Sequence, residues 1–293
     1  MKESQVQTQD PVRRVEDLQS NWTYRAEPMP LRNYARYCWR MLGVRPAPTS
    51  LAIKPVTKQE RWIAYFMFAP DGRLQPYHEF TLARLREQNT SVLVVVASHS
   101  KEEIPPDLQN QCDALYWKAL SGYDFSAYTV ALTAVARHSP GADVLVFNDS
   151  VYGPFSDLDA FLSRAPWDLT GFTAGNVSRQ THIQSYAFIL KNVTPARLES
   201  LRSIFRPSSA FNSANGAISC QELWLARVAS RSMSVGSFWY GEAKTVIDPS
   251  LSRGVELLQV GFPFLKRSLQ SKHTWFQQAD AAVEQLQRLG HPL

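Results

Sequence analysis

Apolar residues along this chain come in short unbroken runs, separated by stretches with helical spacing. Trp62-Ile63-Ala64-Tyr65-Phe66-Met67-Phe68 is apolar throughout. That pattern predicts a strand covered on both faces, as in a parallel sheet. Asp71-Gly72 turns the chain, and 77–88 predicts a helix with Phe80, Leu82 and Leu85 as its apolar positions. Ser91 to Ser98 is the clearest strand, Ala114 to Trp117 a third and Asp143 to Phe147 a fourth, with a helix over 126–138 before the last. Further on, 157–164 predicts a short helix, and 168–172 and 185–190 predict strands. Residues 195–205 and 221–232 predict helices, and the Gln-rich stretch 275–289 a last amphipathic helix. Strands alternating with helices predict an α/β fold: a mostly parallel sheet flanked by helices, with right-handed crossovers.

The first 58 residues have a different texture. Pro11, Pro28, Pro30, Pro46, Pro48 and Pro55 interrupt them, and one helical stretch, Leu31 to Leu42, mixes arginines with aromatics. We therefore divide the chain into an extension, 1–58, and a main domain, 59–293. The extension reads either as a strap packed on the main domain or as a peripheral membrane foot, because interfacial helices pair Arg with aromatics.

The net charge of +5 and pI of 9.1 suit an anionic partner. The basic residues are scattered, with neither zinc-finger spacing nor an RRM-like signature, so nucleic acid is not the expected partner. Cys38, Cys112 and Cys220 are far apart and form no CxxC. They read as ordinary, largely buried thiols in a reducing compartment. The N-terminus opens on polar residues and no run approaches the ~20 apolar residues of a membrane span. The expected location is the cytoplasm, or the inner face of the membrane.

In parallel sheets of this kind ligands sit at the carboxyl ends of the strands. The loops to read closely are therefore 69–72, 98–100, 121–124 and 148–154. Asn148-Asp149-Ser150 follows a strand directly, and a carboxylate there can hold a divalent cation against a diphosphate. The same three residues also make good turns and caps. Gly122-Tyr123-Asp124 joins a strand to a helix, where a glycine admits a ligand and a helix start favours phosphate. Asp124 or Ser126 can equally cap that helix. His182-Ile183-Gln184-Ser185-Tyr186 gathers polar side chains at a strand start, where a sugar or phosphate contact competes with a structural role. Ser219-Cys220-Gln221-Glu222 fits a capping box, and Glu222 is also a candidate general base. Lys266 and Arg267 follow a hydrophobic turn and either reach a diphosphate or are solvated.

In order, Asp71-Gly72, Gly122 to Tyr128, Asn148 to Pro154, His182 to Tyr186, Glu222 and Pro263 to Lys266 resemble the rhamnan synthesis protein F family across about residues 61–268. The string Asn148-Asp149-Ser150-Val151-Tyr152-Gly153-Pro154 is the most specific part. The resemblance implies a GT-A-like, Rossmann-type fold. It implies a glycosyltransferase that takes rhamnose from dTDP-rhamnose to a surface polysaccharide or lipid-linked saccharide acceptor with inversion. It assigns Glu222 as base and Asp149 to the donor diphosphate, directly or through Mg2+ or Mn2+. Gly122, Tyr123, Asp124, Asn148, Ser150, His182, Gln184, Ser185 and Lys266 would bind the donor, with Asp124 on the nucleotide or ribose and Lys266 and His182 offsetting charge. Three positions depart from the pattern. Leu120 replaces an Asn, Asp168-Leu169-Thr170-Gly171 replaces D-F-W-G, and Val151 stands where a D-x-D would have its second Asp. A noncatalytic carbohydrate-binding or scaffold subunit is the alternative these departures leave open.

Overall fold

The computed structural model describes residues 14–177, 180–242, 248–270 and 279–292. In chain order, β1 is Leu18–Thr23, α1 Leu31–Met41, β2 Val44–Pro46, β3 Ser50–Lys54, β4 Arg61–Phe68, α2 Pro76–Arg86, β5 Ser91–Ala97 and β6 Ala114–Lys118. Then come α3 Tyr123–His138, β7 Ala142–Asn148, β8 Val151–Tyr152, α4 Leu158–Arg164, β9 Leu169–Val177, β10 Gln180–Ile183, β11 Ala187–Val193 and α5 Pro195–Ser200. The last part holds β12 Ser209–Phe211, α6 Ala214–Ala217, a π-helical turn Ile218–Glu222, α7 Leu223–Ala229 and β13 Val235–Gly241. It ends with α8 Pro249–Ser252, α9 Gly254–Gln259, β14 Leu265–Lys266 and α10 Ala279–Arg288.

Ten strands form the central sheet, in the order β1-β13-β9-β11-β7-β4-β5-β6-β3 with β10 on β9. The pairings run parallel through β7, β4, β5 and β6 and between β13 and β9. β11 lies antiparallel between β7 and β9. Six of the described strands thus share one direction (β4, β5, β6, β7, β9, β13), and the expected mostly parallel Rossmann-type sheet flanked by helices is the fold found.

Alternation along the strands builds two cores. Trp62, Ala64 and Phe66 of β4 face the side covered by α3, α5 and α7, with Phe125, Tyr128, Leu132 and Trp224. Ile63, Tyr65 and Met67 face α2 and α4, with Leu82, Leu85 and Phe161. Covering both faces explains why β4 and β5 are apolar at nearly every position.

The structure corrects the sequence expectations at several points. Residues before 58 supply strands at both edges of the sheet, β1 against β13 and β3 against β6. These strands alternate or lie exposed, so they lack the apolar run that marked the central ones. The helix expected over 195–205 ends at Ser200 and continues as turns. The helix expected over 221–232 starts much earlier, because Ser213 caps it: Ser213 Oγ accepts the Gly216 N–H at 3.1 Å. Ser219 therefore sits inside a continuous helical path, and the Ser219–Glu222 capping box does not form. Of the helix expected over 275–289, residues 275–278 lie outside the described residues, and α10 covers the rest to Arg288.

Candidate functional site

The parallel strands bring their carboxyl ends to one edge. β11 runs the other way, so its start arrives at that same edge, where the Asn148 N–H donates to the Tyr186 carbonyl at 3.1 Å.

The β6–α3 loop is held in a tight shape. Lys118, fully buried at the end of β6, donates to the carbonyls of Ala119 and Ser121 at 2.9 Å each. Burial pulls its amine down to about 8. Gly122 has φ +91°, and a Cβ there would lie 2.7 Å from Ser126 Oγ, so the loop requires glycine. Its N–H donates to Asn212 Oδ1 at 2.9 Å. Tyr123 also has positive φ and is exposed. Neither Asp124 nor Ser126 caps α3. Gly122 is the cap residue, and Ser126 Oγ donates to the Tyr123 carbonyl at 2.8 Å. Asp124 instead accepts from the Phe125 N–H at 2.9 Å and from Asn148 Nδ2 at 3.2 Å.

Asn148, buried at the end of β7, is the hub. Its Oδ1 accepts from the Ser150 N–H at 3.0 Å and from Ser150 Oγ at 2.5 Å. Ser150 Oγ in turn lies 3.5 Å from Lys266 Nζ. Lys266 is brought in by β14, which pairs with β8 in the register Lys266–Val151. Its Nζ also sits 4.0 Å above the Tyr186 ring.

Glu222 ends the π turn, which re-aims a side chain within an otherwise regular helix. Its Oε2 accepts from the Ser185 N–H at 3.1 Å and from Ser185 Oγ at 2.5 Å. The Ser185 carbonyl is fixed from beneath by the Tyr128 hydroxyl at 2.9 Å.

The charges interact. Burial first, and then the Glu222 charge, raise the Asp124 carboxyl to about 6. Burial lowers Lys266, against the opposing pull of Asp248, Glu222 and Asp124. Three carboxylates acting on one desolvated amine are an arrangement suited to binding and moving protons.

Asp124, Asn148, Ser150, Ser185, Glu222 and Lys266 are thus brought together. Asp149 faces the other way. Its Oδ2 accepts from the Phe68 N–H at 2.9 Å and lies 3.1 Å from His78 Nε2. His78 Nδ1 accepts from the Gln75 N–H, so Nε2 carries the proton and donates to Asp149. Arg267, stacked 3.8 Å over Tyr77, donates to the Asp149 carbonyl at 2.6 Å. Asp149 therefore ties the end of β7 to β4, α2 and the turn that follows β14.

His182 is buried on β10 with Nδ1 against the Gln180 carbonyl at 3.3 Å, and Gln184 accepts from Thr173. Asp168 lies at the opposite edge, at the start of β9, paired with Arg197 at 3.1 Å. Sequence reasoning missed Lys118, His78 and Asp248, which no motif marked. Sequence reasoning assigns Tyr186 no role of its own, and Arg267, expected either to reach a diphosphate or to be solvated, packs on Tyr77 and bonds the Asp149 carbonyl instead.

The described residues form no all-protein cage for a divalent cation. Among the described residues no group of three His, Cys, Asp or Glu is placed to hold a metal ion, and Asp149 Oδ2 is already bonded. Val151, where a second Asp would serve, is buried in the core. A hollow of about 1060 Å3 lies at the opposite edge, lined by Lys58, Arg61, Asn89 and Asp143 among others, but it lacks a linked buried polar cluster.

Fold and site together define a class: an α/β protein of Rossmann type whose buried polar cluster sits at the carboxyl edge of the sheet. No family model and no curated protein sequence matches the chain. Solved structures resemble it loosely. The 4-diphosphocytidyl-2C-methyl-D-erythritol synthase of Anaerococcus prevotii is 13% identical, with TM-score 0.39, over 69% of this chain and 95% of that one. S. aureus TarS in complex with UDP-GlcNAc is 14% identical, with TM-score 0.37, over 68% and 65%. The inositol-1-phosphate CTP transferase of T. maritima is 10% identical, with TM-score 0.41, over 70% and 97%. The functional reading below rests on the site's own geometry.

Proposed function

We propose that this chain is a glycosyltransferase that moves a sugar from a nucleotide-sugar donor to a saccharide hydroxyl. The donor is dTDP-rhamnose, and the acceptor is a surface polysaccharide or lipid-linked saccharide. The observation that carries this reading is the linked cluster Asp124–Asn148–Ser150–Lys266 beside Glu222, at the edge where such sheets take ligands. Lys266 meets the donor diphosphate in place of a metal ion. Asp124, set by Asn148 and the Gly122 loop, holds the nucleotide or ribose hydroxyls. Ser150, Ser185 and Tyr123 line the donor, with His182 and Gln184 supporting the wall behind it.

Glu222 is the base. The acceptor O–H gives its proton to the Glu222 carboxylate and the oxygen bonds to the anomeric carbon. The bond from that carbon to the diphosphate breaks and dTDP leaves, with inversion. Lys266 stabilises the leaving charge. Asp149 serves the diphosphate at one remove, by fixing Arg267 and the turn that carries Ser150.

A noncatalytic carbohydrate-binding subunit is the second reading, favoured by the double hydrogen bond that already engages Glu222 Oε2.

Thermal melting tests the donor assignment. dTDP-rhamnose and dTDP should raise the melting temperature more than UDP, GDP or CMP sugars do, because ligands that bind only the native state stabilise it. EDTA should leave that rise unchanged if Lys266 does the work of a cation. Equal or absent shifts with every nucleotide at saturating ligand would overturn the assignment.

A further inference from the structure

α1 is mounted with an apolar stripe facing outward. Its packed side is held by aromatics: Tyr37 and Tyr34 lie 4.5 and 5.4 Å from the Trp224 ring, and Cys220 Sγ reaches the Tyr37 carbonyl at 3.7 Å. The aromatics that suggested a membrane foot are therefore mostly spent on the protein. What remains free is Leu31, Ala35, Cys38, Trp39 and Leu42, at i, i+4, i+7, i+8 and i+11, which is one face of a helix. Leu31, Trp39 and Leu42 are 86%, 70% and 73% exposed. A surface helix normally turns such a stripe inward, so this one is built to meet something apolar.

Charge indicates what that is. Residues 31–45 carry Arg32, Arg36, Arg40 and Arg45 and no acidic residue. At 100° per residue, Arg32 and Arg36 border the stripe, and both Arg32 and Arg45 are exposed. A shallow apolar ridge with Trp at one end and arginines along its border matches an interfacial helix lying in the headgroup region of an anionic bilayer. No described helix is long and apolar enough to cross a membrane.

We propose that the Leu31–Leu42 face docks this protein on anionic phospholipid, with Leu31, Trp39 and Leu42 inserted and Arg32, Arg36 and Arg45 on the headgroups. The inference stands apart from the sugar-transfer reading, although α1 packs on the π turn that carries Glu222. Docking would therefore hold the candidate site close to the lipid surface.

Co-sedimentation of the full chain with vesicles tests it. Vesicles of phosphatidylcholine and phosphatidylglycerol in equal parts should bind the protein, phosphatidylcholine alone far less, and salt should weaken the binding. The pair Trp39→Ser and Leu42→Ser should weaken binding at least about tenfold. The pair Arg32→Gln and Arg45→Gln should weaken it about twenty-five-fold, at roughly fivefold per arginine. Both pairs are exposed and should keep the wild-type melting temperature, so a loss of binding is not a loss of fold.

The proposal falls if the wild type ignores anionic vesicles or if the Trp39/Leu42 pair binds as well as the wild type. It also falls if the wild type sediments at equilibrium as a dimer that this pair dissolves, because the stripe would then belong to a second copy.

Discussion

Two influences act in the same direction on Asp124: the loop buries it, and Glu222 places a second negative charge within reach. A carboxyl raised to about 6 from 3.8 is more readily protonated in the folded chain than in the unfolded one. Its stabilising contribution is therefore present in full below about pH 4 and is lost as pH rises through about 6. Asp124→Asn cannot ionise, so urea unfolding should show the variant gaining on the wild type between those pH values. Donor affinity of the wild type should fall as pH drops below about 6, and the variant should lack that dependence. Equal pH profiles for the two proteins would mean that Asp124 titrates without consequence. Glu222 shows how far a local motif misleads at this scale. Ser-x-x-Glu described a cap that tertiary structure had no use for, because Ser213 had already capped the helix six residues earlier. The carboxylate was free to reach Ser185, 37 residues away in sequence.

Among the elements, the central strands are legible in the sequence because both of their faces are covered, and β4 and β5 accordingly carry no polar side. β1 is not legible in this way, since Leu18–Thr23 only half-buries alternate positions against one neighbour. The loops that build the site are marked by their residue types and place, at the ends of parallel strands, but their pairings are not. That Asn148 bonds Asp124 while Asp149 turns to His78 depends on which face each side chain of consecutive residues takes at the end of β7. Lys118 and His78 escape sequence reasoning because a buried Lys or His carries no local pattern. The revised helix start gives a direct test. Ser213→Ala should cost about 1 kcal/mol of stability, the usual value of an N-cap, while Ser219→Ala, lying within the helical path, should cost far less. Chemical denaturation measures both, and a larger loss at Ser219 would restore the boundary that the sequence suggested.

Across the whole molecule, the arrangement is consistent. A sheet with six strands in one direction gathers its loops at one edge. β11, running the other way, adds Ser185 and Tyr186 to that edge, and the chain returns through β14 to deliver Lys266. Residues before 58 close both sides of the sheet and mount α1 beside the π turn. The central claim is that this edge breaks the bond between a sugar and a nucleoside diphosphate, with Glu222 as the base. Release of dTDP from dTDP-rhamnose, followed for the wild type and for Glu222→Gln, tests it most directly. Gln keeps an oxygen to accept from Ser185, so fold and donor binding should survive, while the rate should fall about a hundredfold to ten-thousandfold, the usual cost of losing a general base. A folded, donor-binding wild type that releases no dTDP, or a Glu222→Gln variant that works at more than about a tenth of the wild-type rate, would contradict the account.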